Sequence, residues 1–480
     1  MLFFVIGRKE KKMKEILNES GELIELVMPS AEEIETLIRE KKYSELKGKI
    51  AALEAVDIAS VFGEIDESYI NIFYRILPKE YAAEVFVETD AELQQKIIQS
   101  FTDRELSEVL QDMYLDDTVD VIEEMPANVV KRILKNSSAK DRTLINQLLR
   151  YPKDSAGTVM TVEYVRLTKN MTVGEALSHI REVAIDKETI YTCYVTDKNR
   201  HLLGIVTARS LMIALPEEKI SNLMDENVIF GTTTEDKESV AQKIEKYGFL
   251  ALPIVDNEGR LVGIVTVDDA IDVLKEETDE DISKMAAITP TETPYLKTSA
   301  FNLFKARIPW LLLLMISATI SGTILGFFES ALIPVLVLFV PMLMDTGGNS
   351  GSQASVTAIR ALSVGEITVR DVFLVLWKEV RVGFLCGVSL GAVALGKVML
   401  IDRLLLGNEA VTIAVGASVA LTVFATIFTA KIIGASLPLL AKRLGLDPAV
   451  MASPFITTLV DAVSLIIYFF ISAGLFGLTI

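Results

Sequence analysis

Apolar positions are unevenly distributed along the chain, and the change falls near residue 305. Beyond it, five apolar stretches run over roughly 308–328, 332–361, 372–400, 411–440 and 453–478, each long enough to cross a bilayer. Before it, residues 30–150 read as short amphipathic helices with no strand pattern. Helix starts recur at Pro78-Lys-Glu, Thr102-Asp-Arg-Glu and Pro126-Ala-Asn, a period near 24. A second series, Thr89-Asp, Asp116-Asp and Ser137-Ser-Ala-Lys-Asp, falls between them. The spacing predicts a right- or left-wound solenoid of paired short helices. From about 155 to 273 the pattern becomes mixed. Residues 193–207 read as strand, polar turn and strand, and recur as 252–266, with Gly204 and Gly263 59 residues apart and a helix after each copy. The fold class expected is a multidomain membrane protein: an all-α N-terminal solenoid, an α/β pair and a helical membrane domain.

Composition sharpens this division. The mean hydropathy is +0.39 although 23% of residues are charged. Of 47 basic and 65 acidic residues, only 11 and 9 lie in 301–480, which leaves 36 and 56, a net of −20, in the first 300. Such an acidic surface repels nucleic acid and attracts cations. The two cysteines, Cys193 and Cys386, exclude a disulfide framework, and His179 and His201 are too few for a histidine-rich metal site. Residues 2–6 are too short for a signal-peptide core, and their basic neighbours follow rather than precede them. Lys305 and Arg307 precede the first apolar stretch. Arg360, Arg370, Lys378 and Arg381 surround the second connection, and Lys442 and Arg443 mark the fourth. The basic bias places the first 300 residues in the cytoplasm and the C-terminus outside a cell membrane crossed five times.

Some residues in the apolar stretches are ones that lipid rejects. Asp461 lies roughly 12 Å into the fifth stretch at about 1.5 Å per residue, and Asp345 lies near the middle of the second. A carboxylate at such depth costs about 2.5–3.5 kcal/mol on insertion scales, so it is expected to face a bundle interior or a wet path. Lys431, in the fourth stretch, either pairs with an acid or extends toward the cytosolic side. Residues 341–353 combine Pro341, Gly347, Gly348 and Gly351 with Asn349, Ser350, Ser352 and Gln353. Irregular polar backbone at membrane depth is expected to line a cavity, although Gly347 and Gly351 also form a GxxxG helix-packing pair. In the fifth stretch Asp447 and Pro448 read as an N-cap and first helical turn. Thr457, Thr458 and Asp461 then share one oxygen-rich face.

One stretch of the soluble half is dense in acids. On a helix, Asp269, Asp272, Glu276 and Glu280 follow i, i+3, i+7, i+11, flanked by Glu277 and Asp281 and only partly offset by Lys275 and Lys284. This helix leads straight toward the first membrane stretch, which favours cation sensing over a merely solvated face.

The duplicated unit resembles a tandem pair of CBS domains, and that resemblance implies a nucleotide ribose site at Thr266 and Asp268. The first copy has Thr207 but Arg209 in the matching place. Together with the segment 151–157, the acidic helix, the Gly-Gly-Asn-Ser-Gly-Ser-Gln run and the segment 447–461, the chain resembles the MgtE family of Mg²⁺ transporters over almost its whole length. The resemblance implies a homodimer with a pore between five-helix bundles and a pore acid at Asp461, with Asp345 a further pore candidate. Gly347, Gly348, Asn349, Thr457 and Thr458 are expected to line the pore. It also implies cytosolic Mg²⁺-sensing acids at Asp236, Glu238, Asp269, Asp272, Glu277, Glu280, Asp281 and Asp447. Gly248 occupies one position that is acidic in the family.

The expected organisation is an N-terminal segment over 1–29 and a helical N domain over 30–153. CBS units follow at about 154–215 and 216–273, then an acidic connecting region over 274–304 and a transmembrane domain over 305–480. The function expected is Mg²⁺ uptake down its electrochemical gradient, closed by Mg²⁺ on the acidic domains, with ATP a candidate ligand of the CBS pair. Rival readings are a broader Mn²⁺ or Co²⁺ transporter, a CBS-regulated anion or osmolyte transporter, and a nucleotide-sensing membrane protein without transport. No P-loop or nucleophile–base pair argues for an enzyme.

Overall fold

The structure is a computed structural model. It describes residues 13–17, 23–27, 29–51, 53–291, 295–296, 298–329, 333–451 and 453–477; residues 2–6 lie outside the described residues. The chain forms two compact units, Met1–Leu274 and Lys275–Ile480.

The first unit opens with an antiparallel hairpin, β1 (Met13–Leu17) and β2 (Leu23–Val27). Ten helices follow among the described residues: α1 (Ala31–Arg39), α2 (Tyr43–Ile50), α3 (Ala55–Phe62), α4 (Glu67–Ile76), α5 (Lys79–Val87), α6 (Ala91–Ser100), α7 (Asp103–Asp112), α8 (Leu115–Glu124), α9 (Ala127–Asn136) and α10 (Ala139–Leu148). Their starts follow local chemistry. Thr102 and Glu105 form a reciprocal capping box on α7, Ser138 caps α10, and Pro126 immediately precedes α9. Asp90, rather than Thr89, caps α6, and Tyr114 stands at the cap position of α8. Alternate helices pack on one another: α3, α5, α7 and α9 in one row, α4, α6, α8 and α10 in the other. Each helix buries one stripe, as with Ile70, Phe73 and Tyr74 on α4, and the Tyr74 hydroxyl donates to Ala82 O at 2.7 Å.

The duplicated region forms two three-stranded sheets of the same topology. In one, β3 (Tyr164–Leu167) pairs parallel to β4 (Thr189–Thr196), which pairs antiparallel to β5 (Leu202–Thr207). In the other, β6 (Gly231–Thr232), β7 (Ala251–Val255) and β8 (Leu261–Thr266) repeat that order. Helices α11 (Val173–Val183), α12 (Ala208–Ile213), α13 (Ile220–Leu223) and α14 (Lys237–Tyr247) pack around them. The repeated glycine has a steric cause. A Cβ on Gly204 would lie 2.9 Å from Asp225 O, and one on Gly263 2.6 Å from Thr161 O, because another backbone segment crosses the strand at both places. Helix α15 (Val267–Met285) then runs on from β8 into the second unit.

The second unit contains α16 (Ala300–Glu329), the short α17 (Pro334–Val337), α18 (Val340–Ser363), α19 (Val372–Lys397), α20 (Ile413–Arg443) and α21 (Ser453–Phe476). Four of its helical segments are long and apolar enough to cross a membrane, those containing α16, α19, α20 and α21. The second expected stretch, 332–361, contains the 24-residue α18, whose polar run keeps it out of that apolar class. The run is a regular helix rather than irregular backbone. Pro341 falls in its first turn, where a missing N–H costs nothing. α18 packs on α20 and α21, α19 packs on α20, and α16 packs on α21. Exposed apolar side chains cover α16 and α19, including Leu311, Leu312, Met315, Phe373 and Leu374, as lipid-facing helices require.

Candidate cation sites

The polar run of α18 is built around glycine. A Cβ on Gly347 would meet Thr426 Cγ2 at 2.5 Å and Ser464 Oγ at 2.6 Å. One on Gly348 would stand 2.6 Å from Thr457 Cγ2 and 3.4 Å from Asp461 Oδ1, and one on Gly351 2.9 Å from Ile456 Cγ2. Gly434 on α20 meets the Gly351 carbonyl in the same way. The glycines therefore draw α18 against α20 and α21. They bring the backbone at Gly348 close to the Asp461 carboxylate of α21.

Asp461 Oδ1 is buried and accepts no hydrogen bond among the described residues. Its electrostatic neighbour is Asp345, exposed on α18 one turn before the equally exposed Asn349. Thr457 Oγ1 lies 3.3 Å from Ser352 Oγ. Thr458 donates to its own helix at Pro454 O, 3.1 Å away, so of the two threonines Thr457 is the one joined to the neighbouring helix. This wall offers only hard oxygen donors, the set that Mg²⁺ prefers, and its carboxylates suit an ion that keeps several waters. Lys431 is turned inward. It is buried on α20 and donates to Gln353 Oε1 at 3.3 Å.

A second concentration of acid lies in the first unit. Asp116, in the first turn of α8, is buried, and its Oδ1 has no partner among the described residues. One carboxylate oxygen each from Asp116, Glu163 and Glu188 lie within 4.8 Å of one another, and Glu163 Oε2 and Glu188 Oε2 are also buried without a hydrogen bond among the described residues. Burial, reinforced by neighbouring acids, holds the Asp116 carboxyl well above the usual carboxylate range. Burial and then Asp269 push the half-buried Asp117 up to about 7. Burial and then Asp268 push Glu188 up to about 7. Asp269 is raised by burial, against a 2.5 Å hydrogen bond donated by Thr266. Glu88 is raised by burial and then by Asp272. So many carboxyls sharing one partly dehydrated space favour whatever neutralises them, a proton or a cation.

Of the sequence-predicted sensing residues, Asp269 and Asp272 thus meet acids of the N domain. Asp236 caps α14 by accepting from the Glu238 amide at 2.8 Å, and Glu238 accepts from Gln242 at 3.0 Å. Asp268 is exposed, and the Thr266 hydroxyl of the candidate ribose site is committed to Asp269. Glu276 is exposed and Glu277 half-buried on α15. In the second unit the last turns of α15 reach the ends of the membrane helices. The Ser363 hydroxyl donates to Asp281 Oδ2 at 2.8 Å, and Lys284 bridges Glu280 Oε1 at 2.7 Å and Asp447 Oδ2 at 2.6 Å. Asp447 Oδ1 accepts from the Ala449 amide at 2.8 Å, so it caps the 3-10 turn Pro448–Met451 rather than α21 itself. Sequence reasoning missed Glu88, Asp116, Asp117, Glu163 and Glu188. Asp116-Asp was read only as a helix start, and a first-turn acid meant for the dipole has the same sequence signature as one meant for a ligand.

Comparison with known proteins agrees with this layout. Residues 340–471 match a family described as a divalent cation transporter, 53–154 the MgtE intracellular N domain, and 156–217 and 220–276 the CBS domain. The magnesium transporter MgtE of Thermus thermophilus is 36% identical over 88% of this chain and 93% of its own length. That of Bacillus subtilis is 33% identical over 91% and 95%. The solved cytosolic domain of the Mg²⁺ channel MgtE in complex with ATP is 34% identical, covers 51% of this chain and 99% of its own, and superposes with a TM-score of 0.48. With both relatives matched across nearly their full length, the chain belongs to the MgtE family of divalent cation transporters.

Proposed function

We propose that this protein conducts Mg²⁺ into the cell down its electrochemical gradient and is closed by Mg²⁺ on its cytosolic acids. The observation that carries this reading is the half-buried Asp461 carboxylate, whose Oδ1 is buried and accepts no hydrogen bond among the described residues, set against the glycine backbone of α18. In a homodimer two such carboxylates face one hydrated ion. Asp345, Asn349 and Thr457 supply further oxygens along the path, and Gly347 and Gly348 let α18 approach α20 and α21 closely enough to form its wall. An inside-negative potential favours entry by about 2.3 kcal/mol per elementary charge per 100 mV, and twice that for a divalent ion.

This reading takes α18 as the fifth membrane-crossing helix, with the N-terminus cytoplasmic and the C-terminus outside, and the N domain as a paired-helix solenoid. The sensing set is Asp236, Glu238, Asp269, Asp272, Glu276, Glu277, Glu280, Asp281 and Asp447, joined by Asp116, Asp117, Glu163 and Glu188. ATP binds the CBS pair through Thr266 and Asp268, which requires Thr266 to release Asp269. Uptake of Mg²⁺, Mn²⁺ and Co²⁺ into vesicles holding wild-type or Asp461→Ala protein tests the central assignment. Wild-type flux that Asp461→Ala abolishes supports it; undiminished Mg²⁺ flux in the variant overturns it.

A further inference from the structure

Lys284 occupies an unusual place for a cation in an acidic helix. Its ammonium lies 2.6 Å from Asp447 Oδ2 and 2.7 Å from Glu280 Oε1, so one charge ties the last turns of α15 to the segment that leads into α21. The other oxygen of Asp447 is engaged by the Ala449 amide, which fixes the carboxylate in place. The joint does not rest on Lys284 alone. Ser363, at the end of α18, donates to Asp281 three residues earlier, and Met285 packs with Ile359 and Ala449. The Thr289 amide also donates to Ala306 O at 3.0 Å, holding the chain after α15 against α16.

The geometry points to Lys284 as a tethered cation that bridges Glu280 and Asp447, two acids of the proposed sensing set, without a metal. A lysine ammonium is a compact point charge with three donors on a flexible stem, suited to holding two carboxylates at once. Because it is covalently attached, its local concentration does not fall when cytosolic Mg²⁺ falls. Lys284 therefore sets a floor to closure: the joint between α15 and the cytosolic mouth stays partly engaged at any Mg²⁺ concentration, and metal bound elsewhere adds to it. A divalent ion that bridges Glu280 and Asp447 must first displace this ammonium. Lys284 acts through Asp447 and is a positioning residue. The inference rests on the reading of α15 as the gating element.

The test is patch recording of the full-length protein with EDTA on the cytosolic side. Lys284→Gln is expected to raise the metal-free open probability at least threefold at unchanged unitary conductance. Lys284→Arg is expected to keep the wild-type value. Lys284→Gln with Asp447→Asn is expected to open no further than either change alone, since both remove one bridge. A Lys284→Gln open probability equal to or below wild type overturns the proposal. A readout independent of flux is cross-linking of Asp281→Cys to Ser363→Cys in a Cys193→Ala, Cys386→Ala background in EDTA. Its yield is expected to drop at least threefold on adding Lys284→Gln, and an unchanged yield likewise overturns the proposal. Absence of wild-type Mg²⁺ current would instead defeat the proposed function and leave the cross-link to decide the role of Lys284.

Discussion

Gly348 of α18 faces Asp461 of α21: a Cβ on the glycine would stand 3.4 Å from the carboxylate oxygen and 2.6 Å from the Thr457 methyl. Gly348→Ala must push α21 away or rotate it, and overpacking of this kind costs about 1–3 kcal/mol. The expected outcome is folded protein with Mg²⁺ flux reduced tenfold or more, and a larger loss for Gly348→Val. Vesicle flux normalised to the monodisperse protein recovered in detergent measures it. Flux at the wild-type level in both variants would mean the close approach is irrelevant to conduction.

Neutralising Asp269, Asp272, Glu277 and Glu280 together is expected to leave unitary current intact and remove closure by cytosolic Mg²⁺. A ligand shifts an equilibrium only by its differential affinity for the two states, and several weak sites supply that difference where one does not. Stepped cytosolic Mg²⁺ in a patch measures the closing concentration. A quadruple variant that closes at the wild-type concentration would reduce the acidic helix to a solvated surface.

Proton and metal should substitute for one another in the N-domain cluster. The half-buried Asp117 and Glu188 hold protons in the folded protein up to about pH 7, against ordinary values of 3.8 and 4.5. A carboxyl whose folded pKa is raised gives stability fully present below the unfolded value and lost as pH rises through the folded one. In EDTA the protection of α8 amides from hydrogen exchange is therefore expected to fall as pH rises from about 4 past about 7. Millimolar Mg²⁺ should flatten that profile, since bound cation compensates the same charge. A pH-independent profile in EDTA would contradict the crowding seen here.

Asp116→Asn separates charge from shape in that cluster. It removes the charge of a buried carboxylate whose Oδ1 has no hydrogen bond among the described residues, while keeping the volume. Protection of α8 in EDTA is expected to increase by a factor of ten or more, and the Mg²⁺-induced gain in protection to shrink. Decreased protection in EDTA would identify Asp116 as a hydrogen-bond anchor of α8 instead.

What was legible in the sequence follows from how local each signal is. Helix starts such as Thr102 and Pro126 are set by their own caps, and Gly204 and Gly263 announced themselves by repetition. Asp461 was readable because lipid makes a carboxylate conspicuous wherever it falls. Glu163 and Glu188 were not, because their meaning depends on Asp116, some fifty to seventy residues away, and on burial that no window of sequence encodes. The Gly-rich run was legible as special, but its backbone was expected to be irregular. It is regular because glycine there serves the neighbours that press on it, Thr426, Thr457 and Ser464, rather than its own conformational freedom.

The polarity of α18 also bears on how the protein is made. A segment carrying Asp345, Asn349 and Gln353 partitions poorly into lipid by itself, and the side chains that accommodate its glycines come from α20 and α21, which are synthesised later. On the five-span reading, the nascent α18 must wait, shielded in the insertion machinery or at the membrane surface, until the last two helices arrive. Its integration is then a late and cooperative event. Chains truncated before residue 413 should leave α18 uninserted, whereas full-length chains should protect it. An α18 that integrates on its own would show that the helix needs no partners to enter the bilayer.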